Sequence, residues 1–357
     1  MVTLDQTIRQ ILALPREAGT PEAAMARELV TRFLTDLGYK VQVQRFSFTP
    51  ASLRAFPVFG AGLGGLALVL LPFLASTHLP AWAPLVLLVC GLLALALVAG
   101  GIGLGWVPLG DALREDANLI ATRGTAPRRW IVAHLDSKAQ GHSMAGRLVA
   151  IWTVGMAIGG LSLLTLSRLS GHVPPVWLAI GAALAVVAGF LAGKGRLRGR
   201  SLGARDNGTG IVAALSAAEA CSDPGVGILI TGAEEFGLVG ARVFARLAGD
   251  LQEVEFVNID TVDQEGRLYL VSHNSAGERL AHDLDPVLSR LALPLKHRRL
   301  PLGIFVDSAP LARAHAPAIT IGRLTWATLR RIHTPADTPD GLSLDTAYRL
   351  GKAIVSN

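Results

Sequence analysis

Between residues 55 and 110 the chain carries no Asp, Glu, Lys or Arg. An α-helix rises about 1.5 Å per residue, so about 20 apolar residues cross the hydrocarbon core of a bilayer. A charge-free run of this length predicts two crossings, over residues 57–76 and 82–106, with His78, Pro80 and Pro84 marking the connection. A second block behaves alike: residues 148–167 are uncharged, Arg168 and Gly171 interrupt, and 176–193 are apolar again. Buried core helices stop at about 10–14 apolar residues, and all four runs reach or approach spanning length. The chain is 51% hydrophobic and only 17% charged, against about 25% charged in ordinary soluble domains. A four-helix transmembrane bundle is therefore expected. Each run holds a small-residue pair at helical spacing, Gly60 with Gly64, Gly101 with Gly105, Gly155 with Gly159 and Gly189 with Gly193. Such pairs predict close helix contacts in lipid.

The net charge of +6 is unevenly placed. Lys40, Arg45 and Arg54 precede the first run. Arg114, Arg123, Arg128, Arg129, Lys138 and Arg147 lie between the second and third, and Lys194, Arg196, Arg198, Arg200 and Arg205 follow the fourth. The two short loops contribute only Arg168. Lys and Arg collect on the cytoplasmic side, so a multi-pass membrane protein with four spans and a cytoplasmic polar part is expected. The basic cluster at 194–205 has no interleaved aromatics, which points to the lipid bilayer and its anionic headgroups and not to nucleic acid. The opening residues, with Asp5, Arg9 and Arg16, lack the apolar core of a cleavable signal peptide. Cys90 lies in an expected span and Cys221 in the polar part, so no disulfide framework is expected. Nothing in the sequence sets an oligomeric state.

An even number of crossings returns the chain to one side after each hairpin. Residues 1–54, 111–143 and 197–357 are thus expected to form one discontinuous domain, with transmembrane hairpins at 55–110 and 144–196 inserted into it. Helical periodicity covers residues 3–14 and 21–37, followed by an alternating strand at 40–48. Apolar strands are expected at 130–133, 227–231, 255–259, 268–271 and 318–321, with helices at 211–220, 240–247, 276–291 and 344–355. This alternation predicts an α/β fold with a mostly parallel or mixed central sheet flanked by helices. In such sheets the ligand crevice lies beyond the carboxyl ends of the strands. His134 follows one apolar strand, Glu234 a second and Asp260 a third.

Five segments carry the chemistry: His134-Leu-Asp136, Gly203-Ala-Arg-Asp206-Asn-Gly-Thr-Gly210, Gly232-Ala-Glu234-Glu235-Phe-Gly237, Asn258-Ile-Asp260 and Ile332-His333-Thr-Pro-Ala-Asp337-Thr338. Each alone has an ordinary reading. A histidine can end a strand, Asp-Asn-Gly makes a turn, and Glu-Glu suits a first helical turn. Together, the imidazoles of His134 and His333 and the carboxylates of Asp206, Glu235 and Asp260 form a ligand set for two divalent ions. Asp206, on its glycine-rich turn, can offer one oxygen to each. Without metal, three clustered carboxylates would raise one another's pKa values. Two ions roughly 3.5–4 Å apart lower the pKa of a shared water and polarise a carbonyl. Glu234 is left to act as general base, and Asp136 to hold the His134 ring or orient the site.

These motifs, in this order, resemble those of the M28 peptidases, the di-zinc aminopeptidases. The stretch Leu14-Pro-Arg-Glu-Ala-Gly-Thr-Pro21, followed by a helix and Leu37-Gly-Tyr-Lys-Val41, is similar to that family's lead-in. The resemblance covers the polar segments and none of the apolar runs. It implies the zinc-aminopeptidase (phosphorylase/hydrolase-like) fold, two Zn2+ replaceable by Co2+ or Mn2+, and a peptide substrate cleaved at its N-terminus. It also implies that His134, Asp206 and Asp260 hold one zinc and Asp206, Glu235 and His333 the other, with Glu234 as base and Asp136 as a further active-site acid. The chain departs from the pattern twice. In soluble members the His-x-Asp and Asp-Asn-Gly segments lie close, whereas here about 70 residues intervene. Where the family often has Ser-Asp-His, this chain has Val306-Asp307-Ser308. Two rivals to the membrane-anchored aminopeptidase remain: a single-zinc, glutaminyl cyclase-like acyltransferase, and a non-catalytic receptor or transporter component.

Overall fold

The structure, a computed structural model, describes residues 3–356 except 108, 125, 172 and 302. The outermost positions of the expected polar domain, 1 and 357, lie outside the described residues. The chain divides into two compact units. One comprises the chain up to Phe48, Leu113–Ala139 and the chain from Gly199 onward; the other comprises Thr49–Ala112 and Gln140–Arg198.

The first unit is built on eight strands: β1 (Lys40–Phe48), β2 (Arg114–Thr122), β3 (Arg129–His134), β4 (Val226–Thr231), β5 (Glu255–Val262), β6 (Arg267–Ser272), β7 (Leu295–Arg299) and β8 (Ala318–Leu324). Their order is β1-β2-β4-β3-β5-β8-β6-β7. The centre, β4-β3-β5-β8, is parallel, and antiparallel pairs join β1 to β2, β2 to β4 and β6 to β8. The sheet is therefore mixed. Two strands escaped the sequence reading for different reasons. β2 opens Arg-Glu-Asp, but its polar groups are used inside the fold: Asp116 pairs with Arg27, and Asn118 accepts from Gly232 N and donates to Gly240 O. β7, Leu-Lys-His-Arg-Arg, is an edge strand with one apolar side chain and no alternation to detect.

Before β1 lie α1 (Leu4–Leu12) and α2 (Pro21–Asp36), started by Thr3 and Thr20, whose side chains accept from the amides of Gln6 and Ala23. The second unit contains four long helices, α3 (Ala55–Ala75), α4 (Ala83–Gly103), α5 (Met144–Ser170) and α6 (Pro175–Gly193). All four are long and apolar enough to cross a membrane, with mean hydropathies of 1.9–2.8. At most 33% of each apolar window is buried within the protein, so most of these side chains face outward. Of the four glycine pairs, only Gly60 and Gly64 both seat at a helix–helix contact. A Cβ on Gly189 would lie 2.7 Å from the Gly60 carbonyl, and one on Gly60 would strike Ala192. Gly155, Gly159 and Gly193 have no neighbour within 4 Å.

The remaining helices, α7 (Thr209–Ala220), α8 (Val239–Leu247), α9 (Ser275–Ser289), α10 (Ser308–Arg313), α11 (Trp326–Arg331) and α12 (Asp345–Ala353), belong to the first unit. α10 and α11 have six residues each, too few to show a period in sequence. Successive strand side chains point to opposite faces. On one face Ile131, Ala133, Ile228, Ile230, Val257 and Ile319 pack with residues of α1, α2, α7, α9 and α12. On the other, Trp130, Val132, Leu229 and Phe256 pack with Phe244 and Leu311. Burial on both faces explains why the central strands read as unbroken apolar runs. It also leaves the strand ends as the place where polar groups can gather.

Candidate metal centre

His134 is the last residue of β3, and Glu234 and Glu235 follow β4 by a short turn. Asp260 lies within β5 at a register shift between Ile259 and Val262, where Thr261 has φ +57°. A bulge of this kind re-aims a side chain. Asp206 precedes α7, and His333, at φ +64°, follows α11. The Asp206–Asn207 peptide is cis.

All five expected ligand residues and the expected base converge. His134 Nε2 lies 3.3 Å from Asp206 Oδ1, 3.8 Å from Asp260 Oδ1 and 3.9 Å from Glu234 Oε2. His333 Nε2 lies 3.1 Å from Asp206 Oδ2 and 3.3 Å from Glu235 Oε1. Two triads able to hold a metal result, His134–Glu234–Asp260 and Asp206–Glu235–His333, with donor atoms in each within 4.8 Å of one another. Asp206 thus turns one oxygen to each imidazole. The structure groups Glu234 with His134 and Asp260, where the resemblance had Asp206 in that place.

The donors are oxygens and imidazole nitrogens, as borderline divalent ions such as zinc prefer. Glu235 Oε1, 3.3 Å from His333 Nε2, is buried without a hydrogen-bond partner. Such an orphan is costly unless an ion or donor meets it, so the residues fit a metal centre. His134 Nδ1 donates to the Asp136 carbonyl at 3.0 Å, which leaves Nε2 free to face the centre.

The two loops that bear the carboxylates are held alike. The Asp136 carboxylate accepts the amides of Glu234 and Glu235 at 3.0 and 3.1 Å. The Asp337 carboxylate accepts those of Arg205 and Asp206 at 2.9 and 3.1 Å. Asp136 therefore grips the Glu234-Glu235 backbone with its carboxylate and the His134 ring with its carbonyl. Asn207 accepts from the amides of Gly210 and Thr261 and donates to Ile259 O, tying the Asp206 turn to β5. Gly203 has φ +55°, and a Cβ there would lie 2.4 Å from that of Ser137; only glycine admits this approach.

Charge is strongly biased inside the centre. Burial pushes the Asp206 and Glu235 carboxyls up, but both imidazoles outweigh it for Asp206, and His333 with Lys138 holds Glu235 down to about 2. Burial also raises Glu234, against His134, and the negative neighbours Glu235, Asp307 and Asp260 carry it well above the usual carboxylate range. The imidazoles of His134 and His333 are raised despite burial because carboxylates surround them.

Three residues of the centre carried no metal signature in sequence. Lys138, counted above with the basic margin of the spans, is buried and ion-paired to Glu235 at 2.6 Å. Arg205, counted the same way, is buried against Asp263 and Asp337. Neither can face lipid headgroups. Asp307, noted as part of a departure from the family pattern, is fully buried, accepts from Thr231 and is raised to about 7, chiefly by burial.

Arg16 joins the loops from behind. It is fully buried and donates to the carbonyls of Leu135 (2.8 Å), Ile11 (3.2 Å), Leu14 (3.3 Å), Leu202 (2.7 Å) and Gly203 (2.9 Å). It stitches the segment after His134 to the one before Asp206. Arg16→Met leaves these acceptors unpaired, at a cost of about 3 kcal/mol or more. The melting temperature of the variant is expected to fall by roughly 6–12 °C.

The model of peptidase family M28 matches residues 118–357. Among curated proteins no sequence matches. Among solved structures, the aminopeptidase from Aneurinibacillus sp. strain AM-1 is similar, with TM-score 0.56, 14% identity and coverage of 98% of this chain and 92% of that one. The zinc aminopeptidase BSAP from Bacillus subtilis gives TM-score 0.55, 14% identity, and 99% and 94% coverage. The glutaminyl cyclase of Porphyromonas gingivalis gives TM-score 0.56, 13% identity, and 99% and 96% coverage. At these identities the likenesses establish the fold: a mixed eight-stranded sheet flanked by helices, of the aminopeptidase type. The family match spans about two thirds of the chain and includes every expected site residue. The chain belongs to peptidase family M28.

Proposed function

We propose that this chain is a membrane-anchored, zinc-dependent aminopeptidase that removes N-terminal residues from peptides. The observation that carries the reading is Asp206, whose two oxygens face His134 at 3.3 Å and His333 at 3.1 Å. A carboxylate divided in this way suits two ions, one held by His134, Asp206 and Asp260, the other by Asp206, Glu235 and His333. When bound, zinc would acidify a shared water and polarise the scissile carbonyl. Glu234 would take a proton from the attacking water and return it to the amine as the C–N bond breaks. Asp136 would keep Glu234 and Glu235 in register through their amides, and Asp337 would do the same for Asp206. The test compares peptides with free and acetylated N-termini. Release of the first residue from free peptides alone is expected; equal cleavage of acetylated peptides would overturn the aminopeptidase reading.

The likeness to a glutaminyl cyclase favours one other reading, a single-zinc acyltransferase. The complete ligand set weighs against it, and zinc content separates the two: two ions per chain support hydrolysis, one supports the cyclase. A non-catalytic receptor or transporter component is disfavoured because all five ligand candidates and the base are retained.

The membrane part rests on four apolar helices and on Trp82, Trp106 and Trp177, exposed at helix ends, where interfacial aromatics collect. With Lys138 and Arg205 removed from the count, Lys194, Arg196 and Arg198 remain exposed just after α6. This supports four spans and a catalytic unit on the cytoplasmic side. In a chain with Cys90 and Cys221 replaced by serine, Leu79→Cys is expected to react with an impermeant maleimide in intact cells. Labelling only after lysis would reverse the orientation.

A further inference from the structure

Neither the ligand set nor the base accounts for Lys138. It lies beyond the end of β3, so no strand pairing requires it, and its side chain is 2% exposed. Burying an ammonium is costly unless it is well paired. Its pairing is specific. Nζ lies 2.6 Å from Glu235 Oε2 and 3.4 Å from the Glu235 carbonyl. The Glu235 carboxylate is thereby split. Oε2 is taken by the ammonium, while Oε1 is buried without a hydrogen bond and faces His333 Nε2 at 3.3 Å. That same His333 nitrogen lies 3.1 Å from Asp206 Oδ2, so Oε1 is the atom turned toward the shared centre.

We propose that Lys138 is a positioning residue that makes Glu235 a one-oxygen metal ligand. The inference rests on the metal-centre reading above. A carboxylate can bind an ion through one oxygen or through both. Chelation through both would fill a coordination position that a catalytic centre must leave open for water or substrate. A short charge-assisted hydrogen bond on Oε2 prevents it. Lys138 suits this task because its flexible stem reaches from the end of β3 and ends in a compact donor. Asp136, two residues earlier, holds the Glu235 amide while Lys138 holds its carboxylate. Backbone and side chain of one ligand are therefore both set by the same five-residue segment, His134 to Lys138.

The test uses the full-length chain in detergent, loaded with Co2+, whose visible bands weaken as coordination number rises. Native protein and Lys138→Met are compared for cobalt content, visible absorption and steady-state kinetics. Equal cobalt content is expected, with weaker bands in Lys138→Met and kcat lower by about 10–100-fold at little-changed KM. Identical spectra in the two proteins would overturn the role of Lys138 and leave the metal centre standing. So would loss of cobalt from Lys138→Met alone, since the role is to present a ligand and not to retain the ion. Failure of the native chain to take up cobalt would overturn the metal reading itself, and this proposal with it. Should Lys138→Met not fold, zinc-induced difference infrared spectra of native protein carrying 13C-glutamate decide. A wide splitting of the carboxylate stretches, the signature of one-oxygen ligation, is expected, and a narrow one would overturn the proposal.

Discussion

Glu234→Gln is expected to hydrolyse aminoacyl anilides about 10²–10⁴ times more slowly than the native chain while holding the same amount of metal. The substitution changes little except the ability to carry a proton. The residue is buried, and its amide is fixed by the Asp136 carboxylate whatever its side chain. Glutamine fills the same volume and can still hydrogen-bond. Burial and the negative neighbours Glu235, Asp307 and Asp260 hold the Glu234 carboxyl well above the usual range, with His134 opposing them. An acid shifted upward lies nearer the pH at which a group can both take and return a proton. Steady-state rates read with metal content decide the matter. A rate within a few-fold of native at unchanged metal content would remove Glu234 from the reaction.

Chelation should abolish hydrolysis and also lower the melting temperature of the catalytic unit. An ion present at a thousand times its dissociation constant stabilises the folded state by about 4 kcal/mol. For a domain of this size that corresponds to roughly 8–16 °C. The stabilisation has a local cause. Asp206, Glu234, Glu235, Asp260 and Asp307 are brought together in one region, where Lys138, Arg16 and two imidazoles only partly oppose their charge. Asp206→Asn tests the assignment, because that residue faces both imidazoles. Its melting temperature is expected to respond little to chelator or to added zinc. A native-sized response in Asp206→Asn would show that ions stabilise the protein elsewhere.

Much of this arrangement was legible in the sequence because the central strands are buried on both faces and end in polar motifs. The apolar runs before His134, Glu234 and Asp260 announced both the sheet and the edge where these polar residues gather. The four long apolar helices were legible because long uncharged helices need no tertiary context to be recognised. What escaped depended on pairing across the fold. The charged start of β2 reads as loop until Asp116 meets Arg27 and Asn118 meets the Gly232 and Gly240 backbone. Lys138 and Arg205 read as surface charge because their partners, Glu235 and Asp263, lie far along the chain. Arg16 gave no sign that five backbone carbonyls awaited it. The glycine pair of α5 misled in the other direction: spacing alone marks a possible contact, and Gly155 and Gly159 meet nothing within 4 Å.

The position of β3 has a consequence for how the chain is made. Its two neighbours in the sheet, β4 and β5, both come later in sequence, after α5 and α6. At about 5–20 residues per second, a ribosome needs several seconds to pass from His134 to the partners that will cover it. Throughout that interval β3 has two bare edges, and the imidazole at its tip has no acidic companions from downstream. Completion of the centre therefore waits until the segments bearing Asp206, Glu235, Asp260 and His333 have been made, all of them after α5 and α6. A nascent chain stalled before residue 206 carries one of the five expected ligand residues, His134.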